Sequence, residues 1–411
     1  MKPSEEQQDN LEERQVAGDV IGDTAYSERF VLKILLKIAN LDLLKEEIQD
    51  KAFEDDLCTL WDMTAERDVV LFLQKHEVLK LLNFALPTIE SPRITEIIIG
   101  IIGNMCCQKE AVVTLLKMDT FLPFLIEYVK SDDSLVLVQL LRLINSCLFL
   151  ASKEDVAYWT DLFIKAGYSS ALYFILKNSS NKDLLVTALE NFNTICSYCN
   201  TDKTRSNFFG HFVTVDALES LTVAFAEVTV KHKDLCDKNE LERVFIISLQ
   251  ITLNLVGFDK KLDISNDNIE DVALMIMTVL NYYKKKIVVQ KEVDMDLVDI
   301  VDSAVTIVKV LQMSATSEPE KYFTPSYSMW KALNTMEDGG KDDTSKFEED
   351  DRDELKEFAC KLRTPLCMMI CLYLEKCSDE HLSKSIEEVG SNLDEILISV
   401  LETDLVAAVT E

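Results

Sequence analysis

Apolar residues in the stretch Pro92–Met118, PRITEIIIGIIGNMCCQKEAVVTLLKM, recur at helical spacing. Ser91 can cap a helix there and Pro92 suits its first turn. Ile97, Ile98, Ile101 and Ile102 then form a broad apolar stripe. Gly100 and Gly103 interrupt it without side-chain bulk, so a second helix can approach closely; their helical cost is tolerable only if packing offsets it. Asn104 breaks the apolar run, and a short second helix comes after it.

The rest of the chain varies this pattern. A helix starts near Ser27, with Phe30, Ile34, Ile38 and Leu41 on one face. A second runs over about Lys45–Leu60, and Thr64 is placed to cap the next, with Glu66 in its first turn. Pro87 closes that region. Long helices are expected at Asp132–Ala151, Asn181–Tyr198 and Asn239–Val256, the last stopped by Gly257. Asn104, Asn145, Asn193 and Asn254 can be superposed within four of these helices, at intervals of 41, 48 and 61 residues. An armadillo or HEAT array repeats at about 40–47 residues. The expectation is therefore an all-α, armadillo/HEAT-like helical-repeat superhelix from about Tyr26 to Val409, with degenerate repeats. Residues 1–20 read as a disordered acidic tail and 21–336 as the repeats, continued by helices near Asn268–Lys284 and Met295–Met313. Beyond Met313, Pro319 and Pro325 are expected to break the helical pattern. Residues 337–353 read as an acidic disordered loop, since Glu337–Glu357 holds eleven acids and four bases. Residues 354–411 read as C-terminal capping helices.

Composition sharpens this picture. Only 10 Gly and 7 Pro occur in 411 residues, which favours long helices over tight turns. Seventy-two acids against 42 bases leave a formal charge of −30, a field that repels phosphate backbones and disfavours direct nucleic-acid binding. A protein partner with a Lys/Arg-rich segment is the natural complement. The opening MKPSEEQQDN has no apolar run and does not read as a secretory leader. The longest stretch without charge, Val244–Phe258, is too short and too polar for a membrane span. Eleven Cys in such a chain read as reduced, mostly buried thiols of an intracellular protein.

Little in the sequence suggests catalysis. Cys196-Ser197-Tyr198-Cys199 is a CxxC, but it falls at the C-terminal end of a helix, where the dipole does not lower a thiol pKa. The thiol-rich alternative, a redox sensor or enzyme accessory protein, would use this pair. Cys106-Cys107 and Cys367, Cys371 and Cys377 lack zinc spacing. The four His show no metal motif, and no phosphate-cradling glycine loop occurs. No catalytic, metal or cofactor residue is assigned, and no small-molecule substrate. Lys284-Lys285-Lys286, the one strong basic run, reads as a helix C-terminal cap. The candidate partner-binding residues are Asn104, Asn145, Asn193 and Asn254. In armadillo arrays such amides line the concave groove and hold an extended peptide backbone. The competing reading makes each a strut that satisfies orphan carbonyls between helices. Peptide carriers of nuclear import place Trp four residues before each Asn; here those positions hold Gly100, Leu141, Leu189 and Gln250.

Several segments together resemble the serum amyloid A-like (SAAL) family. They are Gly18–Gly22 with Thr24, Tyr26 and Ser27; Trp61-Asp62-Met63; Asp68-Val69 with Leu71–Gln74; Pro92-Arg93; and Gly103-Asn104-Met105 with Cys107, with Asp183–Val186 as a fainter echo. The resemblance covers about residues 18–200. It implies an armadillo-like helical fold, nuclear residence and a part in promoting cell proliferation, with no enzymatic activity or catalytic residues.

Overall fold

The computed structural model describes residues 19–198, 203–258, 264–292, 294–313, 319–339 and 349–410. Helices account for almost all of the regular structure, and no strand occurs among the described residues. The chain divides into two units, residues 1–209 and 210–411.

The first unit contains α1 (Glu28–Ala39), α2 (Leu41–Glu47), α3 (Lys51–Met63), α4 (Arg67–Lys75), α5 (Val78–Ala85), α6 (Pro92–Met105), α7 (Lys109–Leu116), α8 (Phe121–Glu127), α9 (Ser134–Leu150), α10 (Val156–Ala166), α11 (Tyr168–Asn178) and α12 (Lys182–Cys196). The chain supplies their caps: Ser27, Asp50, Ser91, Asp133 and Asn181 each accept a backbone N–H of the first helical turn after them. Every third helix belongs to one layer, in which α3, α6, α9 and α12 pack in chain order. Side-chain contacts fix the register. Arg93 Nε meets Glu54 Oε1, 39 residues away; Asn104 reaches Thr64 across 40; Cys107 meets Ser146 across 39; Asn191 meets Asn145 across 46. Partner numbers rise together along each pair, so neighbouring helices in the layer run parallel.

Helix α6 shows why the layer holds. Every residue from Ile94 to Gly103 is buried, because α3 covers one side and α9 the other. The two glycines permit this. A Cβ on Gly100 would lie 2.3 Å from the indole of Trp61 on α3, and one on Gly103 would lie 3.7 Å from Leu143 Cα on α9. Trp61 is half-buried, so it lies as a plate on α6 rather than as a plug in the core.

Helix α13 (Lys203–Gly210) spans the division between the units. The second unit contains α14 (Val215–Ala226), α15 (Lys238–Phe258), α16 (Asn266–Lys285), α17 (Asp296–Val310), α18 (Pro319–Gly339), α19 (Glu349–Lys376), α20 (Asp379–Val389) and α21 (Leu393–Thr410). Here every second helix associates: α14 with α16 and α16 with α18, α15 with α17, α17 with α19, and α19 with α21. By length and composition α15 could cross a membrane, but 56% of its most apolar window is buried inside the protein, as in a core helix.

Several expectations need correction. The helix expected over Lys45–Leu60 is two, because the Asp50 carboxylate accepts the Ala52 N–H and starts a new helix after Glu47. Thr64 ends α3 instead of capping α4: its hydroxyl donates to the Trp61 carbonyl, and Glu66 occupies the cap position of α4 without a side-chain bond. Helix α15 runs through Gly257 to Phe258. Pro319 opens α18 instead of breaking it, and Pro325 lies inside that helix. Buried Tyr322, Phe323, Tyr327 and Trp330 hold α18 in place against the cost of an internal proline. Of the segment expected as a loop, 337–339 and 349–353 are helical; 340–348 lie outside the described residues, as do 1–18 of the expected tail.

Gly→Ala inside a helix ordinarily stabilises by about 1 kcal/mol. Gly100→Ala should instead destabilise by about 1–3 kcal/mol through overpacking against Trp61. In a Trp61→Ala background the same change should be neutral or stabilising. Urea denaturation of the four proteins measures the coupling, and additive effects would mean that the indole does not set the helix spacing.

Candidate functional site

Of the four sequence-selected asparagines, Asn104 and Asn145 make side-chain hydrogen bonds within the layer. Asn104 is half-buried, and its amide Nδ2 donates to Thr64 Oγ1 at 2.9 Å and to the Trp61 carbonyl at 3.4 Å. It thus satisfies the carbonyl end of α3. Asn145, also half-buried, uses Oδ1 to accept from Asn191 Nδ2 at 2.9 Å. Asn193 and Asn254 are half-buried on α12 and α15, in different units.

The residue that matches Asn104 in geometry is Asn191, which the spacing of Asn residues does not select. It is fully buried. Its Nδ2 bonds to Asn145 and approaches the Leu141 carbonyl at 3.5 Å, while its Oδ1 accepts the Tyr168 hydroxyl at 2.8 Å. Burial pushes the Tyr168 pKa far up, and the bond to Asn191 offsets only part of that. The signal is present in the sequence: Asn191 lies on the apolar stripe of Leu184, Ala188 and Ile195, a position where an amide must have internal partners.

A second polar clamp joins α3 and α6. Arg93 binds Glu96 at 2.7 Å and Glu54 at 3.3 Å, and its other NH group approaches Cys58 Sγ at 3.3 Å. Its pairing with buried Glu96 outweighs desolvation and raises its pKa further. Near the start of the described chain, the Ser27 hydroxyl and the Arg29 N–H hold the Asp19 carboxyl below its usual range. Asp68 accepts the Asp23 N–H at 2.9 Å, beside Gly22 at φ 53°. A Cβ on Gly22 would collide with that carboxylate.

One edge of the first unit offers large apolar side chains to solvent. On α9, Leu135, Arg142 and Phe149 are exposed at seven-residue intervals, and Phe149 is 84% exposed. With α6 and α12 on its flanks, this stripe is the edge of α9 that the layer leaves uncovered. Several of the thiols are buried. The bond to Cys147, together with complete burial, raises the Cys106 pKa well above the ordinary value, and burial lifts Cys367 to about 11. Cys196 is buried at the end of α12, and Cys199 lies outside the described residues. No metal-ligating cluster is found among the described residues.

The basic run has a structural centre. Lys286 is buried and binds Glu242 Oε1 at 2.9 Å and Asp294, with Glu292 at 3.6 Å. Burial works against its charge, but the bonds to Asp294 and Glu242 win and leave its pKa above the ordinary value. Tyr282 donates to the same Glu242 oxygen at 2.7 Å.

These contacts define an all-α protein with a layer of parallel helices clamped by buried amides and one Arg–Glu cluster. No protein-family model matches the chain. It is similar to Protein saal1 of Danio rerio, with 32% identity over 194 residues, 45% of this chain and 40% of that one. Protein SAAL1 of Homo sapiens is 32% identical over 182 residues and Protein saal1 of Xenopus tropicalis 33% over 181, each 41% of this chain and 38% of the relative. The chain thus resembles the SAAL1 proteins over a segment, matching about two fifths of their length. An engineered protein of known crystal structure aligns over 98% of the chain at 12% identity with a TM-score of 0.44, too low to establish a shared fold. Residues that suggest the family in the sequence sit at the clamps: Gly22 by Asp68, Asp19 by Ser27, Trp61 on Gly100, and Asn104 on Thr64.

Asn191→Ala should cost about 1–3 kcal/mol, because it leaves the Tyr168 hydroxyl and the Asn145 carbonyl oxygen without their partner. Asn193→Ala, two residues on, should stay within about 0.5 kcal/mol. Chemical denaturation of both variants checks this. Lys286→Ala should cost about 3 kcal/mol, since Glu242 and Asp294 would remain as uncompensated, largely buried charges.

Proposed function

We propose that the chain is a non-enzymatic, protein-binding helical-repeat scaffold whose first unit is armadillo-like. The observation that carries this reading is the parallel layer α3–α6–α9–α12. Its offsets of 39, 40 and 46 residues fall near the period of an armadillo array, with two shorter helices between successive members. Such layers turn one regular edge to solvent. Here that edge carries Leu135, Arg142 and Phe149, and a large exposed aromatic is a typical binding anchor. Nuclear residence and a part in promoting cell proliferation, which the family resemblance implies, belong to the same proposal. The charge of −30 makes a partner with a Lys/Arg-rich segment the expected match.

The test is affinity capture from nuclear extract with the full chain and with a Leu135→Asp/Phe149→Asp variant, eluted by a salt gradient. Both substituted residues are exposed, so stability should change by less than about 0.5 kcal/mol per site. Loss of an aromatic anchor should weaken partner binding by about 2 kcal/mol or more, roughly thirtyfold. Captured partners should elute at low ionic strength. Partners retained equally by the variant would show that this edge is not the binding surface.

A further inference from the structure

In the second unit, α14 and α16 line one side each of an open channel, and both end abnormally. Residues Glu227–Lys231 after α14 and Lys286–Gln290 after α16 form π-helical turns, a rare geometry that occurs frequently at functional sites. Between the helices lie two adjoining cavities of about 500 and 340 Å³ that share Thr229, Met277 and Thr278. Their lining residues advance together along both helices, so the channel tracks one face of α16 from Asp271 to Lys285. That is about 21 Å at 1.5 Å per residue.

The ends of the channel differ in charge. At one end Lys233, Lys238, Lys285 and Lys286 converge from four segments. Lys286 is neutralised by Glu242 and Asp294, and Lys238 pairs with Glu292 at 2.6 Å. Lys233 and Lys285 are exposed, with no carboxylate partner among the described residues. At the other end stands Asp271, with no basic partner among the described residues. Partial burial, then the nearby Asp267, Glu270 and Glu219, raise its pKa. The middle is apolar, with Phe225 and Met277 beside the exposed side chains of Val223, Val230 and Leu274, 39%, 70% and 41% accessible.

We propose that this channel is a docking groove for a partner-protein segment that is acidic at one end, apolar in the middle and basic at the other. Charge complementarity sets the direction: acidic residues lie against Lys233 and Lys285, basic residues against Asp271. The length suits about fourteen residues of helix, or about six of extended chain. A helix would place apolar anchors at i, i+3/i+4 and i+7 over Leu274 and Met277. This goes beyond the scaffold reading, because it concerns residues 210–411 and is independent of the α9 edge.

A randomised 16-residue peptide library displayed on phage, selected against the full chain, tests it. Enriched peptides should read acidic–apolar–basic in one direction and lose at least tenfold in affinity for a Lys233→Glu/Lys285→Glu variant and for Leu274→Glu. All three positions are exposed, so melting temperatures should not change. Affinity for Leu135→Asp/Phe149→Asp should be retained, which separates this groove from the α9 edge. A Lys233→Glu/Lys285→Glu/Asp271→Lys variant should recover binding to the charge-reversed peptide. No enrichment, enrichment insensitive to the groove variants, or failure of the charge swap would overturn the proposal. So would laurate binding in the groove at micromolar concentration without any selected peptide, since the site would then belong to a small amphipathic anion.

Discussion

The distance between α3 and α6 is set by a missing Cβ. Trp61 lies flat where the side chain of residue 100 would be, and any atom there would be 2.3 Å from the ring. This close approach brings other groups within reach. Asn104 can bond Thr64 at 2.9 Å and Arg93 can bridge Glu54 and Glu96 only because the two parallel backbones are this near. On the opposite side Gly103 lets the α9 backbone come up close at Leu143. Moving α3 outward by the width of one methyl would break the Asn104 bond and part Glu54 from Arg93, leaving only the Arg93–Glu96 pair within α6. The apolar area of α6 drives association, but the glycines and the polar clamps fix register, which apolar contact alone does not.

Much of this was legible in the sequence, and the misses have physical causes. The helical period, the helix start near Ser27, the cap Ser91, and the role of Gly100 and Gly103 as close-approach points come from residue pattern alone. Aligning asparagines by spacing failed at α12. There Asn193 and Asn191 are both available, and only burial distinguishes the amide facing α9 from the one half-exposed. The 61-residue interval to Asn254 crosses from the first unit into the second. In the first unit every third helix joins the layer, whereas in the second unit every second one does. No single repeat length spans both. Asp50 and Pro325 show local signals giving way to context in opposite directions. The Asp50 cap divides an otherwise continuous apolar pattern, while buried aromatics carry α18 through its internal proline.

The charge of −30 acts differently at different depths. At the surface it sets a screened field. Inside the second unit it supplies the carboxylates that stabilise a buried lysine: Glu242 and Asp294 bind Lys286, and Tyr282 ties Glu242 in turn. The basic run that reads in sequence as a helix cap is therefore divided. Lys286 is a structural cation with its bonds already made, while Lys285, one residue earlier, faces solvent at the channel mouth.

The division of polar and apolar groups bears on how such a protein can hold a partner. Recognition of an extended backbone by a row of amides needs a donor and an acceptor from each. The donor of Asn104 is used by Thr64 and the Trp61 carbonyl, and the acceptor of Asn145 by Asn191. Freeing either amide for a partner would leave a group inside the layer unsatisfied, at a cost of about 1–3 kcal/mol, comparable with the bond gained. Phe149, Val230 and Leu274 carry no such obligation. Covering them removes apolar surface from water at about 25 cal/mol per Å² without breaking anything already made. The bonded amides here are committed to holding helices in register, and the exposed apolar side chains have binding energy still to give.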